Sequence, residues 1–183
     1  MTRKARITIE FIDYWLSGTG RAGEGDVDAV AHRDRFDCPA MPMSQIKGQL
    51  RESAARLGCD ALLKLFGAEG DQEGALAFRG EATIGDAAGR RFANNRAARA
   101  QLFRRIASTR INEKGVAAED MLRKVEVAVP LTVTGTVYWA ASGKPDPNWP
   151  ELLDKACAAT LAFGKLKTDG YGRAIAKCEE VGS

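Results

Sequence analysis

The sequence predicts an α+β protein, an antiparallel sheet with two helices on one face and a long insertion between its second and third strands. Three observations predict it. Segments near both ends and in the middle alternate apolar and polar residues with a period of two, the pattern of strands half-buried on one face. Two other segments carry apolar residues three and four apart, the pattern of helices packed on such a sheet. These segments follow one another as β–α–β–insertion–β–α–β, and the chain of 183 residues is long enough for one domain of this kind.

The first strand is read from Ala5 to Leu16, where Ile7, Ile9 and Phe11 alternate with Thr8, Glu10 and Ile12. It ends at Ser17-Gly18-Thr19-Gly20, and a polar loop rich in Asp and Gly runs from Arg21 to Met41. Pro42-Met43-Ser44 opens the first helix, with Ser44 as its expected N-cap. Ile46, Leu50, Leu57, Ala61, Leu62 and Leu65 mark its apolar stripe, Gly58 is a candidate break and Gly67 the expected stop. A second strand is read over Ala75–Ile84. The segment from Gly85 to Leu122 has weak periodicity, with a short helix expected over Ala97–Ile106. Val125–Trp139 is the clearest β segment, and Pro130 within it marks a bulge or an edge position.

Asn148 or its neighbour caps the second helix, with Pro150 in its first turn and apolar residues reaching Phe163. A Gly-rich basic loop follows from Gly164 to Gly172, and the last strand covers Arg173–Val181. Element order places the chain in the ferredoxin-like or RRM-like plan. Residues 1–183 read as a single domain with an insertion at about 85–124.

Composition narrows the function. Hydrophobic residues at 45% supply a real core, and a net charge of +3 is too weak by itself to identify a nucleic-acid partner, so the distribution of charge decides. Cys38, Cys59, Cys157 and Cys178 form no C-x-x-C pair and are read as free thiols of a reducing compartment. A single histidine, His32, excludes a His-rich metal site and a two-histidine acid–base pair. The basic N-terminus lacks the apolar run of a signal peptide, and no stretch approaches the ~20 apolar residues of a membrane span. The expectation is a cytoplasmic protein with no membrane partner.

Four features carry candidate chemistry. From Ala87 through Asn112 there is no acidic residue, while Arg90, Arg91, Arg96, Arg99, Arg104, Arg105 and Arg110 all fall there. Guanidinium groups bind phosphate bidentately and stack on bases, and the interleaved Phe92 and Phe103 are candidates to stack or wedge. The plainer reading is a solvated basic face, or one paired with an acidic protein. Ser44, Lys47 and Arg51 stand together at the start of the first helix, where free backbone N–H groups favour an anion. In the loop Gly164–Arg173, Lys165, Lys167 and Arg173 supply charge and Gly170 and Gly172 close backbone approach. Its spacing is not that of a Walker A loop, and it leads into a strand. Finally, Asp26, Asp28, Asp34 and Asp37 crowd one loop and are candidates to hold a divalent cation or position an RNA 2′-hydroxyl. His32, in that loop, is read as surface or RNA-proximal rather than catalytic.

These features occur in a familiar order. Asp28-Ala29-Val30-Ala31-His32-Arg33-Asp34 followed by Pro42-Met43-Ser44-Gln45-Ile46-Lys47-Gly48-Gln49-Leu50-Arg51 resembles the Asp loop and "P-G-S-S-L-K-G-x-L-R" helix start of the RAMP superfamily, in particular the backbone subunit of type III CRISPR effectors. Leu65-Phe66-Gly67, Gly74–Phe78, Arg110-Ile111-Asn112 and the closing Gly170-Tyr171-Gly172-Arg173 are similar to later parts of the same pattern. The chain departs from it in Met43-Ser44-Gln45, where small residues are usual, and in its short length.

The resemblance implies a modified RRM fold whose insertion is a β-hairpin thumb. Several copies would stack along a guide RNA (crRNA), beside other effector subunits. The guide would be contacted through Ser44, Lys47 and Arg51, the insertion arginines, and Lys165, Lys167, Gly170, Tyr171, Gly172 and Arg173. The thumb would kink the guide–target duplex at regular intervals. It also implies endoribonuclease activity, a loop Asp cutting target RNA with a divalent metal such as Mg2+. By spacing that Asp is Asp28, which would also be the metal ligand, with Asp26 as the fallback. The alternatives are a non-cleaving RNA-binding backbone subunit, a guide-processing RAMP endoribonuclease, against which the single histidine counts, and an interaction module whose arginines meet an acidic protein.

Overall fold

A computed structural model describes residues 3–18, 27–67, 74–111, 117–142 and 145–181. Strand β1 (Lys4–Phe11) buries Ala5, Ile7, Ile9 and Phe11 and leaves Lys4, Arg6 and Glu10 outside, the alternation its sequence dictates. It lies at the middle of a four-stranded sheet of order β3 (Leu76–Phe78), β7 (Thr132–Trp139), β1, β8 (Ala174–Val181). All three pairings are antiparallel, with Ile7 opposite Gly135 on one side and Cys178 on the other. This is the ferredoxin-like order.

Helices α1 (Met43–Arg56) and α5 (Trp149–Ala158) cover one face. Ile46 and Leu50 of α1 and Trp149, Leu153 and Ala156 of α5 share one core with the buried rows of β1, β7 and β8. Each of the larger aliphatic side chains, such as Ile46, Leu50 and Leu153, contributes about 1.5–3 kcal/mol by leaving water. The opposite face carries Arg6, Thr8, Thr134, Thr136 and Lys177. The four cysteines are free thiols, and burial pushes Cys178 up to about 12 and Cys157 well above the ordinary thiol range.

Several local expectations are corrected. The break at Gly58 (φ +63°) and the stop at Gly67 fall where the sequence puts them, but the break divides the first helix in two, with a separate α2 (Asp60–Phe66) after it. The N-cap of α1 is Pro42 rather than Ser44, because strand β2 (Met41–Pro42) pairs with β4 (Glu81–Ala82) and Met43 N–H donates to Gly80 O at 2.9 Å. The strand read over Ala75–Ile84 is therefore two short ones. Gly80 (φ +73°) turns the chain from β3 on the main sheet to β4 on the partner of β2.

The insertion starts with α3 (Asp86–Ala93) and α4 (Arg96–Ala100). The helix expected over Ala97–Ile106 stops at Ala100. Asn95 caps its start by accepting from Ala98 N–H, and from Phe103 the chain is strand β5 (Phe103–Ile111), paired with β6 (Ala117–Ala128) in a two-stranded hairpin. The β segment read as continuous from Val125 to Trp139 changes sheet at Pro130, which has no N–H to donate: β6 belongs to the hairpin and β7 to the main sheet. Helix α5 ends at Ala158 instead of reaching Phe163. Beyond it Thr160 is buried, its hydroxyl donating to Ala156 O and accepting from the Ser53 hydroxyl, at 2.8 Å each.

The hairpin base has its own small core of Leu16, Ala31, Phe103, Val125 and Val127. It meets the body through the bridge Trp15–Ala128 and through residues 28 and 29, which run parallel to β6.

Candidate nucleic-acid interface

Helical spacing places Ser44, Lys47, Gly48 and Arg51 on one face of α1. That face forms a groove of about 500 Å³ with Leu76, Ala77 and Phe78 of the edge strand β3 and with Arg79 just after it. Its lining holds three cations and, among the described residues, no carboxylate. Nothing in the sequence around Arg79 points to this site. It is 28 or more residues from the helix cations, and only the pairing of β3 beside α1 brings it to them.

The other face of α1 is stitched to two loops by neutral amides. Gln49 Nε2 donates to Gly164 O at 2.9 Å while its Oε1 accepts from Gly164 N–H at 3.2 Å. One turn earlier, Gln45 Oε1 accepts from Ser17 Oγ–H at 2.9 Å. The Gly-rich loop is thereby fixed beside the helix. Two of its glycines have packing reasons of their own. A Cβ on Gly164 (φ +100°) would fall 2.6 Å from Leu16 O, and one on Gly172 (φ +76°) 2.1 Å from Phe163 O. Gly170 (φ +86°) has open space on that side.

The loop cations differ in their engagements. Lys167 Nζ lies 3.4 Å from Glu52 Oε2, and Arg173 pairs with Asp13, whose carboxyl it holds below the usual range by a hydrogen bond. Lys165 folds over Gly18. Tyr171 is half-buried against the small core.

The insertion arginines spread over three elements. Arg90 and Arg91 lie on α3, Arg96 and Arg99 on α4, and Arg104 and Arg105 at the start of β5. Arg110 is further along β5, and its side chain is outside the described part. Arg99 Nε lies 3.2 Å from Asp37 Oδ2, and Arg104 donates to Phe103 O at 2.9 Å. Arg91 and the half-buried Phe92 line a second groove at the start of α3. Phe103, read as a base-stacking candidate, is only 7% exposed and lies under the guanidinium of Arg33, so it is a core residue.

The acidic loop separates into distinct roles. Asp26 lies outside the described residues. Asp34 Oδ1 accepts from the N–H groups of Phe36 and Cys38 and so closes a turn, and Asp37 (φ +60°) bonds Arg33 and Arg99. His32 Nε2 sits 2.6 Å from Glu81 Oε1. Asp28 is exposed at the hairpin base. Its N–H donates to Lys124 O and its Oδ2 accepts from Lys124 N–H, both at 2.8 Å. Its Oδ1 has no hydrogen bond among the described residues. No group of three His, Cys, Asp or Glu side chains there could hold a metal alone.

The overall fold is shared with solved structures, among them two of type III-B Cmr-beta. A chain of the type III-B Cmr-beta bound to cognate target RNA matches with a TM-score of 0.71 and 11% identity over 96% of each chain. This chain has that fold. A chain of the apo state of type III-B Cmr-beta matches with a TM-score of 0.65 and 13% identity over 97% of each chain. No family model and no curated protein matches the sequence. Among the described residues no helix is long and apolar enough to cross a membrane.

Proposed function

We propose that this protein is an RNA-binding subunit of a type III CRISPR effector that lies along the guide RNA in several copies, beside other subunits. The observation that carries the reading is the groove into which α1 and the edge of the sheet bring Lys47, Arg51 and Arg79 together, on a fold shared with a chain of an RNA-bound type III-B Cmr-beta. Phosphates attract such a groove whatever the base sequence. Exposed arginines on α3, α4 and β5 extend the positive surface toward the hairpin, which would act as the thumb.

The finer part of the proposal concerns Asp28. The hairpin would kink the target strand and align one 2′-hydroxyl with its own phosphate. Asp28 Oδ1 would accept the hydrogen bond of that hydroxyl as its oxygen attacks phosphorus. The hydroxyl's proton passes to Asp28, the P–O5′ bond breaks and the leaving oxygen takes a proton from water, giving a 2′,3′-cyclic phosphate and a 5′-hydroxyl. A Mg2+ ion fits here only in its usual manner, with one carboxylate and the remaining ligands from water and RNA phosphate, and its charge would stabilise the developing anion. The hydrogen bond from Lys124 to Asp28 favours a second reading, in which Asp28 holds the hairpin and the subunit binds without cutting.

The test is to purify the protein with the products of its neighbouring genes and sequence the RNA it carries. Short RNAs sharing a repeat-derived 5′ end are expected; protein free of nucleic acid at low salt would overturn the reading. In that complex, Lys47→Ala and Arg79→Ala should each flatten the dependence of log K on log salt by about 0.7, the slope that one neutralised phosphate of a single strand contributes. Asp28→Ala should preserve guide binding and abolish cutting, whereas unchanged cutting selects the second reading.

A further inference from the structure

The turn between the Asp28 segment and α1 is built as a socket for the whole insertion. Residues 33 and 39 bridge, and Asp34 Oδ1 closes the tip by accepting two backbone N–H groups. From this rigid turn Phe36 packs on Gly89 of α3, where a Cβ would come within 2.4 Å of the ring. Arg35 reaches Asp86 of α3 at 2.5 Å, and Asp37 holds Arg99 of α4.

Arg33 reaches the hairpin. Its guanidinium lies 3.7 Å from the centroid of Phe103 on β5, donates to Glu126 Oε1 on β6 at 2.9 Å and to Asp37 Oδ1 at 3.1 Å. The Glu126 side chain is only 12% exposed. A carboxylate so withdrawn from water needs a partner, and Arg33 is the cation bonded to it. The flat guanidinium stacks on a ring and bonds two carboxylates at once, a geometry that the compact ammonium of lysine, without a planar fork, reproduces only in part. Two bonds from the other side complete the clamp: Glu126 N–H donates to Ala29 O, and Lys124 N–H to Asp28.

We infer that Arg33 is a positioning residue: a latch that fixes the angle of the β5–β6 hairpin against the segment bearing Asp28. Its consequence for RNA rests on the function proposed above. If the hairpin kinks the target and Asp28 acts at the kink, Arg33 sets the distance between the two.

The test uses Arg33→Ala, Arg33→Lys, Glu126→Ala and the double Arg33→Ala/Glu126→Ala. In the purified chain, amide exchange at Lys124 and Glu126 should speed up at least tenfold in Arg33→Ala and Glu126→Ala, with the double variant no worse than either. Arg33→Lys should fall between them and the parent. In the RNA-bound complex, guide affinity should stay within twofold while target cuts scatter to neighbouring positions and slow tenfold or more. Unchanged exchange at both amides in the single variants overturns the latch. Faster exchange with cut positions unmoved overturns its role in placing the cut. If the parent complex binds RNA but never cuts, the Asp28 chemistry fails, and the exchange measurement still decides the latch.

Discussion

The sheet-and-helix body and the hairpin quarter are built on different principles. In the body β1 is paired on both sides, two helices cover one face, and one continuous apolar core includes Trp15, Phe66, Trp149 and Phe163. The hairpin is a two-stranded sheet of its own, resting on five buried side chains, a few backbone bonds and the charged network around Arg33. Apolar burial holds without regard to direction, while ion pairs and hydrogen bonds fix an angle. The body is therefore arranged for stability, and the hairpin for placement.

The largest effect expected from breaking this contrast is in the body. Leu50→Ala should cost about 2–5 kcal/mol in urea unfolding, because the cavity sits at the α1–sheet contact. Val127→Ala, in the small core, removes two methyl groups and should cost roughly 1.6 kcal/mol. Equal losses would show that the two cores fold as one. A smaller effect separates two glycines of one loop. Gly172→Ala must push Phe163 O aside as well as accept a left-handed backbone, whereas Gly170→Ala bears only the backbone cost, about 1 kcal/mol. Thermal unfolding should rank them in that order.

The smallest effect concerns acid. Arg173 lowers the folded-state pKa of Asp13, so this pair's contribution is present above the ordinary carboxylate value and disappears as pH falls through the lowered one. Arg173→Ala should remove that part of the acid-limb slope and leave stability at pH 7 nearly unchanged, as an exposed pair contributes little.

How much the sequence shows follows the same division. The body was legible because its elements obey local periodicity: Ile7, Ile9 and Phe11 face the core from β1, and Ile46 and Leu50 do so from α1. Lys47 and Arg51 were placed together by helical spacing alone. The hairpin was obscured because Val125, Val127, Val133 and Val137 keep the same odd-numbered alternation across Pro130, although the strand changes partner there. Phe103 looked available because nothing nearby in sequence foretells that Arg33 covers it. The loop cations looked unpaired because their acids are remote, 115 residues away for Lys167 and 160 for Arg173.

The two glutamines of α1 have a practical consequence. The groove side of α1 carries charge, while Gln45 and Gln49 hold the neighbouring loops with uncharged amides, beside the single exposed ion pair of Glu52 with Lys167. Ions compete with the first kind of contact and hardly touch the second. If the groove holds RNA as proposed, concentrated salt should strip it without breaking the amide seams at Ser17 and Gly164, so that the emptied protein is already shaped to take up another strand when the salt is withdrawn.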